Sequence, residues 1–274
     1  MAGVSESDDP ALAPCEAWYL WAMSAPRDAT PMLERIAGLF EALGARASQI
    51  LWVSTSGTLQ RARYAVSALL KTASHPDMGT VIVSNDDLRP TVEVKIFLHD
   101  HPPSPPAGRD ERTVTIRVAR RSSRPAILEF LEVAARALDV AHGGGMQSRD
   151  WNHASAEIDL VSVRSALEPG GRFRKAFDAR HVREAHRKLR RLYPVTIIGS
   201  EIWSRLAPLP AMDNVPTVSD LGDCKVLTAW PELCDPRDPA FLRGTTAFRE
   251  WLWPHTIRNP AAHVDQDPYE YGRT

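Results

Sequence analysis

Two short runs constrain this chain more than anything else in it. Val92, Val94, Ile96 and Leu98 fall on alternate positions, and Val114, Ile116 and Val118 repeat the pattern after a loop. A period of two places each set on one side of a pleated strand. The loop between them, residues 100–110, contains Pro102, Pro103, Pro105 and Pro106 and is therefore stiff and extended. The natural arrangement is an antiparallel hairpin with a long proline-rich tip.

Helical signals surround this hairpin. Pro31 sits at N1 behind Thr30, an apolar stripe of Met32, Ile36, Leu39 and Leu43 follows, and Gly44 ends the segment. Leu59, Ala62, Val66 and Leu69 predict a helix over 58–71. Ile127, Phe130, Leu131, Ala134 and Leu138 predict another, ending at Gly143. Strands are expected at 16–22, 49–54 and 80–83. The second part repeats the grammar: a strand at 156–161, a long helix at 173–192 with Val182, Ala185, Leu189 and Leu192 inward, and a strand at 195–198. A short helix at 202–206, strands at 215–218 and 226–229 and a final helix complete it. The expectation is an α+β protein with mixed, largely antiparallel sheets and helices packed on one face of each. Two similar halves, 15–145 and 150–262, lie between a disordered lead (1–14) and a flexible tail (263–274).

Composition narrows the function. The 274 residues carry a formal net charge of −1, which argues against a dedicated nucleic-acid or membrane protein. The charge is nonetheless uneven: residues 101–200 have 18 Lys and Arg against 11 Asp and Glu, and both flanks are net acidic. Such a bipolar surface suits a charged protein partner. Cys15, Cys224 and Cys234 show no C-x-x-C spacing and read as reduced thiols. No stretch approaches the ~18–20 apolar residues of a membrane helix, and the acidic N-terminus does not read as a signal peptide. A cytoplasmic location is expected.

The chemical candidates are few. His142-Gly143-Gly144-Gly145 invites comparison with an esterase oxyanion loop, but no G-x-S-x-G elbow accompanies it, and a helix C-cap is the simpler reading. His99-Asp100-His101 could contribute to a metal site, yet no further ligand stands at a recognisable spacing. Arg180, Arg183, Arg187, Arg190 and Arg191, with His181, His186 and Lys188 beside them, line the predicted long helix. They are a solvated face or a phosphate-binding footprint. No nucleophile, base and orienter assemble, so a non-catalytic binding protein without a cofactor or metal is expected.

The C-terminal third carries the most distinctive pattern. After a strand closed by Trp230-Pro231, Asp238-Pro239 supplies an N-cap and N1 pair. Phe241, Thr245, Phe248 and Leu252 then form an inward stripe, with Arg249 and Glu250 turned away, and Pro254 ends the helix at Trp253. This stripe and its capping favour a buried core over an aromatic binding face.

Tyr193-Pro194, Ile198-Gly199, Trp203, Trp230, Asp238-Pro239, Arg249, Trp251-Leu252-Trp253 and Asn259-Pro260 together resemble the immunity-52 family of bacterial polymorphic-toxin immunity proteins. Tyr19-Leu20-Trp21 fits the same pattern. The resemblance implies a cytoplasmic protein that binds a cognate toxin, encoded by the adjacent gene, and acts by stoichiometry rather than turnover. Toxins of such systems are often restriction-endonuclease-type nucleases delivered by contact-dependent or type VI secretion. The shared residues look structural, so they are not carried over as a toxin-binding site. Against a basic nuclease groove, the acidic loops with Asp86, Asp87, Asp213, Asp220 and Asp223 are the expected contacts. The alternative is a nucleic-acid-binding or regulatory protein using the Arg180–Arg191 face.

Overall fold

The computed structural model describes residues 14–26, 28–54, 58–75, 78–86, 90–98, 113–119, 122–149, 151, 154, 187–212 and 216–257. Their strands join into one sheet of ten. In chain order they are β1 (Cys15–Ala22), β2 (Gln49–Ser54), β3 (Leu59–Arg63), β4 (Met78–Ser84) and β5 (Val92–Phe97). The remainder are β6 (Thr113–Val118), β7 (Val140–Ser148), β8 (Val195–Ile198), β9 (Thr217–Leu221) and β10 (Cys224–Thr228). Across the sheet the order is β3-β2-β4-β5-β6-β1-β7-β8-β10-β9. Every pairing is antiparallel. The α+β class is therefore as expected, and the strands on either side of residue 150 belong to one sheet through β7 and β8.

The alternating runs pair as the period of two requires: Val94 lies opposite Ile116, and Ile96 opposite Val114. Their apolar face receives α1 (Thr30–Ala42), α2 (Val66–Ala73) and α3 (Arg124–Ala137). There Ile36, Phe40, Ile127 and Phe130 share a core with Trp18, Leu20, Ile96 and Ile116. The opposite face is also buried around β1, β7 and β8, where Tyr19, Met146 and Tyr193 cluster. Over β8 and β10 that second face is covered by α4 (Ser200–Trp203), α5 (Pro239–Gly244) and α6 (Thr246–Leu252), through Ile202, Phe241, Phe248 and Leu252. Helices thus pack on both faces, not one. An open sheet this wide buries its central strands on both sides, and helices from both ends of the chain supply the cover.

Local differences from the sequence reading have local causes. Thr30 does not cap α1; it is the first helical residue, and its N–H donates to Asp28 Oδ1 at 2.9 Å. Gly44 does end the helix, at φ +69°. Residues 58–71 are not one helix, because 59–63 form β3 and only Val66–Ala73 is helical. The helix expected to reach Gly143 stops at Ala137, since β7 begins at Val140 between two partner strands. Residues 187–192 are not helical; Leu189 bridges Thr256 and is buried there, as Leu192 is nearby. The rest of that predicted helix, and the strand expected at 156–161, lie outside the described residues.

Candidate functional site

The His142-Gly-Gly-Gly run is neither an oxyanion loop nor a helix cap. It is the middle of β7, pairing with β1 on one side and β8 on the other. Its backbone groups are engaged in the ladder, and its glycines make room for aromatic rings. A Cβ on Gly144 would lie 2.6 Å from Tyr193 Cδ2, and one on Gly145 would lie 2.4 Å from Trp18 Cε3. His142 itself is 1% exposed, with its ring stacked on Trp21 at 6.3 Å and edge-on to Tyr19 at 6.0 Å. Burial, helped by the nearby Arg190 charge, holds its pKa down at about 3, so the imidazole is neutral in the fold. Arg190 lies over the Tyr19 ring at 5.7 Å. This is a buried aromatic and cationic cluster that ties β1, β7 and the segment entering β8.

The C-terminal segment is scaffold as well. Asp238 caps α5, accepting from the Ala240 N–H at 2.7 Å. Trp230 meets Phe241 edge to face at 5.9 Å. Trp251 stacks on Phe248 at 5.4 Å, meets Trp203 edge-on at 6.4 Å, and donates its indole N–H to Ala207 O at 3.1 Å. The stripe Phe241, Thr245, Phe248 and Leu252 faces inward as expected, although Thr245 divides the helix into α5 and α6. Arg249 is not turned away. It is 4% exposed and lines a shallow cleft with Arg191, Leu192, Leu242, Leu252 and Thr256.

The expected interface residues that lie among the described ones do not form one patch. Asp86 follows β4 beyond the Ser84 end of the sheet, whereas Asp223 is in the tight turn joining β9 to β10 at the opposite end. Seven strand steps separate β4 from β9, which at ~4.8 Å each is roughly 34 Å. Asp220 is exposed and ion-paired with Lys225 on the neighbouring strand. Asp87 and Asp213 lie outside the described residues. Of the alternative basic face, Arg180 and Arg183 are also outside them, while Arg190 and Arg191 are 1% and 4% exposed. Those two are therefore removed from any solvent-facing phosphate footprint. His99, Asp100 and His101 are outside the described residues too. Cys224 and Cys234 have pKa values pushed up to about 12, by burial first and then by neighbouring carboxylates, so both thiols stay protonated.

What the sequence reading missed are the outermost strands. Among the described residues β3 and β9 each pair on one side only, and their residues are largely exposed. Among the described residues three large hydrophobics are exposed, and two of them are on these strands: Leu59 at 59% and Val218 at 40%. The signal for β3 was present in Leu59, Arg61 and Arg63 alternating with Gln60 and Ala62, but the helical spacing to Val66 and Leu69 obscured it.

No protein-family model matches the chain, and no curated protein matches it. Among solved structures it is similar to a type VI secretion system protein of Pseudomonas aeruginosa, at 11% identity and a TM-score of 0.49. That likeness covers 95% of this chain and 79% of the other.

Proposed function

We propose that this protein is an immunity protein that neutralises a cognate bacterial toxin by stoichiometric binding, without turnover. The observation that carries the reading is how the residues resembling the immunity-52 family are placed. Tyr193 is fully buried against Gly144, its backbone N–H donating to Thr196 Oγ1 at 2.9 Å. Trp203 meets Trp251, Trp230 meets Phe241, and Asp238 starts α5. These residues, all from the last third of the chain, pack into the buried clusters beside β7 and over β8 and β10, which supports reading them as scaffold. The reading is also supported by the state of the titratable groups described above: a buried neutral imidazole and two protonated thiols are poorly suited to acid–base or nucleophilic work.

Inhibition of this kind needs a complementary interface of roughly 800 Å² on each partner. A patch of that size does not span both the Asp86 turn and the Asp220–Asp223 hairpin. The test is co-expression with the product of the adjacent gene, scoring rescue of growth and isolating the complex by size exclusion with light scattering. Rescue together with a 1:1 or 2:2 complex is expected. Growth arrest that this chain does not relieve, with no complex recovered, refutes the reading.

A further inference from the structure

The end of the sheet where β9 turns into β10 gathers charge from distant parts of the chain. Across the ladder His142 of β7 lies opposite Ile198 of β8, Ile198 opposite Lys225 of β10, and Lys225 opposite Asp220 of β9. Beyond that row come Asp139, just before β7, and the Gly222-Asp223 turn. The two carboxylates meet around Cys224, whose thiol pKa both of them raise. Asp139, Asp220 and Asp223 are all exposed. Asp220 is ion-paired with Lys225, and Arg136, beside Gly222, is paired with Glu132. Asp139 and Asp223 have no ion-pair partner among the described residues. The surplus charge is therefore negative. The sequence deepens it, because from Leu206 to Cys224 there are three aspartates and no basic residue.

Apolar surface lies beside this rim. Val218 is 40% exposed, while its cross-strand neighbour Leu227 is fully buried in the cluster beneath α4, α5 and α6. Leu209 and Met212, half-buried, pack against that same cluster and so lie on Val218's side of the sheet. Asp220, two residues along the strand, shares that side. The loop carrying Leu209 is tied to α6, since the Trp251 indole N–H donates to Ala207 O at 3.1 Å. Pro208 and Pro210 restrict its backbone further, so little ordering remains to be paid when a partner binds.

We infer that this surface, centred on Val218 with Leu209 and Met212 and rimmed by Asp139, Asp220 and Asp223, docks a positively charged face of the partner protein. Charge selects the occupant. Phosphate chains and anionic membranes are repelled by the surplus carboxylates. A second copy seated here about a two-fold axis would set one acidic rim against the other. A basic protein surface with an apolar side chain over Val218 matches both the apolar centre and the charged rim. The inference rests on the reading of the chain as a toxin-binding protein. Of the two acidic loops expected from sequence it selects the one at this end of the sheet, and it adds Asp139 and the apolar centre.

Two variants separate the centre from the rim. Val218→Ser removes the apolar centre at an exposed position. The double variant D139N/D223N removes the surplus charge, and asparagine keeps the turn tolerance of aspartate. The toxin domain encoded by the adjacent gene, in inactivated form, is titrated against the wild type, both variants and Asp86→Asn at low and high salt. Melting temperatures are recorded for each, and amide hydrogen exchange is followed in the wild-type complex.

Affinity is expected to fall about tenfold in Val218→Ser and in D139N/D223N at low salt, at melting temperatures near wild type. The deficit of D139N/D223N should shrink at about 0.5 M salt, where exposed charges are screened. Exchange over 206–212 and 217–223 should slow in the complex, and Asp86→Asn should bind as wild type does. Unchanged affinity in both variants, or exchange over these segments unaltered by the toxin, overturns the inference while leaving the immunity reading intact. So does loss of binding only in Asp86→Asn. Concentration-dependent association of the wild type that Val218→Ser abolishes would replace the basic partner with a second copy. A wild type that neither binds the toxin nor rescues its host overturns the immunity reading and this inference together.

Discussion

Replacing Gly145 by alanine tests whether the centre of the sheet is built as described. The added Cβ would lie 2.4 Å from both Cε3 and Cζ3 of Trp18 and 2.8 Å from Cδ2. Ordinary carbon contacts are about 3.5–4.0 Å, so the indole has to retreat by about 1 Å. It has nowhere to go, because Trp18 is completely buried in the core beneath α1 and α3. Overpacking of this kind costs about 1–3 kcal/mol. Removing a glycine from the unfolded chain returns about 0.4–1 kcal/mol. The net loss is about 1–2 kcal/mol, which for a chain of this size lowers the melting temperature by about 2–8 °C. Urea and thermal melts monitored by near-ultraviolet circular dichroism measure it. The decisive arm is a double-mutant cycle with Trp18→Leu, which removes the atoms in conflict. In that background Gly145→Ala is expected to be neutral or slightly stabilising, an interaction energy of about 1 kcal/mol or more. An unchanged melting temperature for Gly145→Ala, or the same loss in both backgrounds, refutes the packing argument.

His142 makes stability depend on pH in a defined direction. Its folded pKa of about 3 lies below the unfolded value of 6.5, so between these values the unfolded chain binds more protons and stability rises with pH. The contribution is full above about pH 7 and is lost as pH falls, amounting to about 2 kcal/mol between pH 7 and pH 5. Urea melts at the two pH values should show this, and His142→Gln should reduce the difference by that amount; an equal pH dependence in the variant would refute the assignment. Trp251→Ala should destabilise by about 2–3 kcal/mol, at or below the usual range for large aromatic truncations, because the ring is only half buried although it contacts Phe248, Trp203 and Ala207 O. Toxin binding lost at an unchanged melting temperature would instead make Trp251 a contact residue.

Much of the fold was legible because the strongest signals were local. Alternation over 92–98 and 114–118 gave β5 and β6, and Pro31 with Gly44 marked the ends of α1. The errors fell where a tertiary neighbour outvoted local preference. Three consecutive glycines have little strand propensity on their own, and β7 exists because Trp18, Tyr19 and Tyr193 fill the spaces those glycines leave. Arg249 was read as solvent-facing from helical position alone, yet the segment around Arg191 and Leu192 folds back to cover it. The acidic residues were grouped by charge, and only the strand order reveals that Asp86 and Asp223 lie at opposite ends of the sheet. That β3 is an outermost strand among the described residues was unreadable for the same reason: a strand's place in a sheet follows from the order of all the others.

The placement of the resembling residues and of the exposed strand residues follows one physical logic. Tyr193, Trp230 and Asp238 each engage a neighbour, at Gly144, Phe241 and the Ala240 N–H, so changing one strands another, and such losses commonly run to about 0.5–3 kcal/mol. At exposed strand positions such as Leu59, Arg63 and Val218 the side chains face solvent, so most substitutions there change stability by less than about 0.5 kcal/mol. On the proposed reading as a toxin-binding protein, recognition is best placed at positions of the second kind, with the first held fixed. The two properties should then separate across the molecule. Variants in β1, β7 and around Tyr193 should lower the melting temperature before they alter affinity. Variants at the exposed surface that binds the partner should lower affinity at constant melting temperature. If one set of residues governed both, the division between scaffold and recognition drawn from this sheet would not hold.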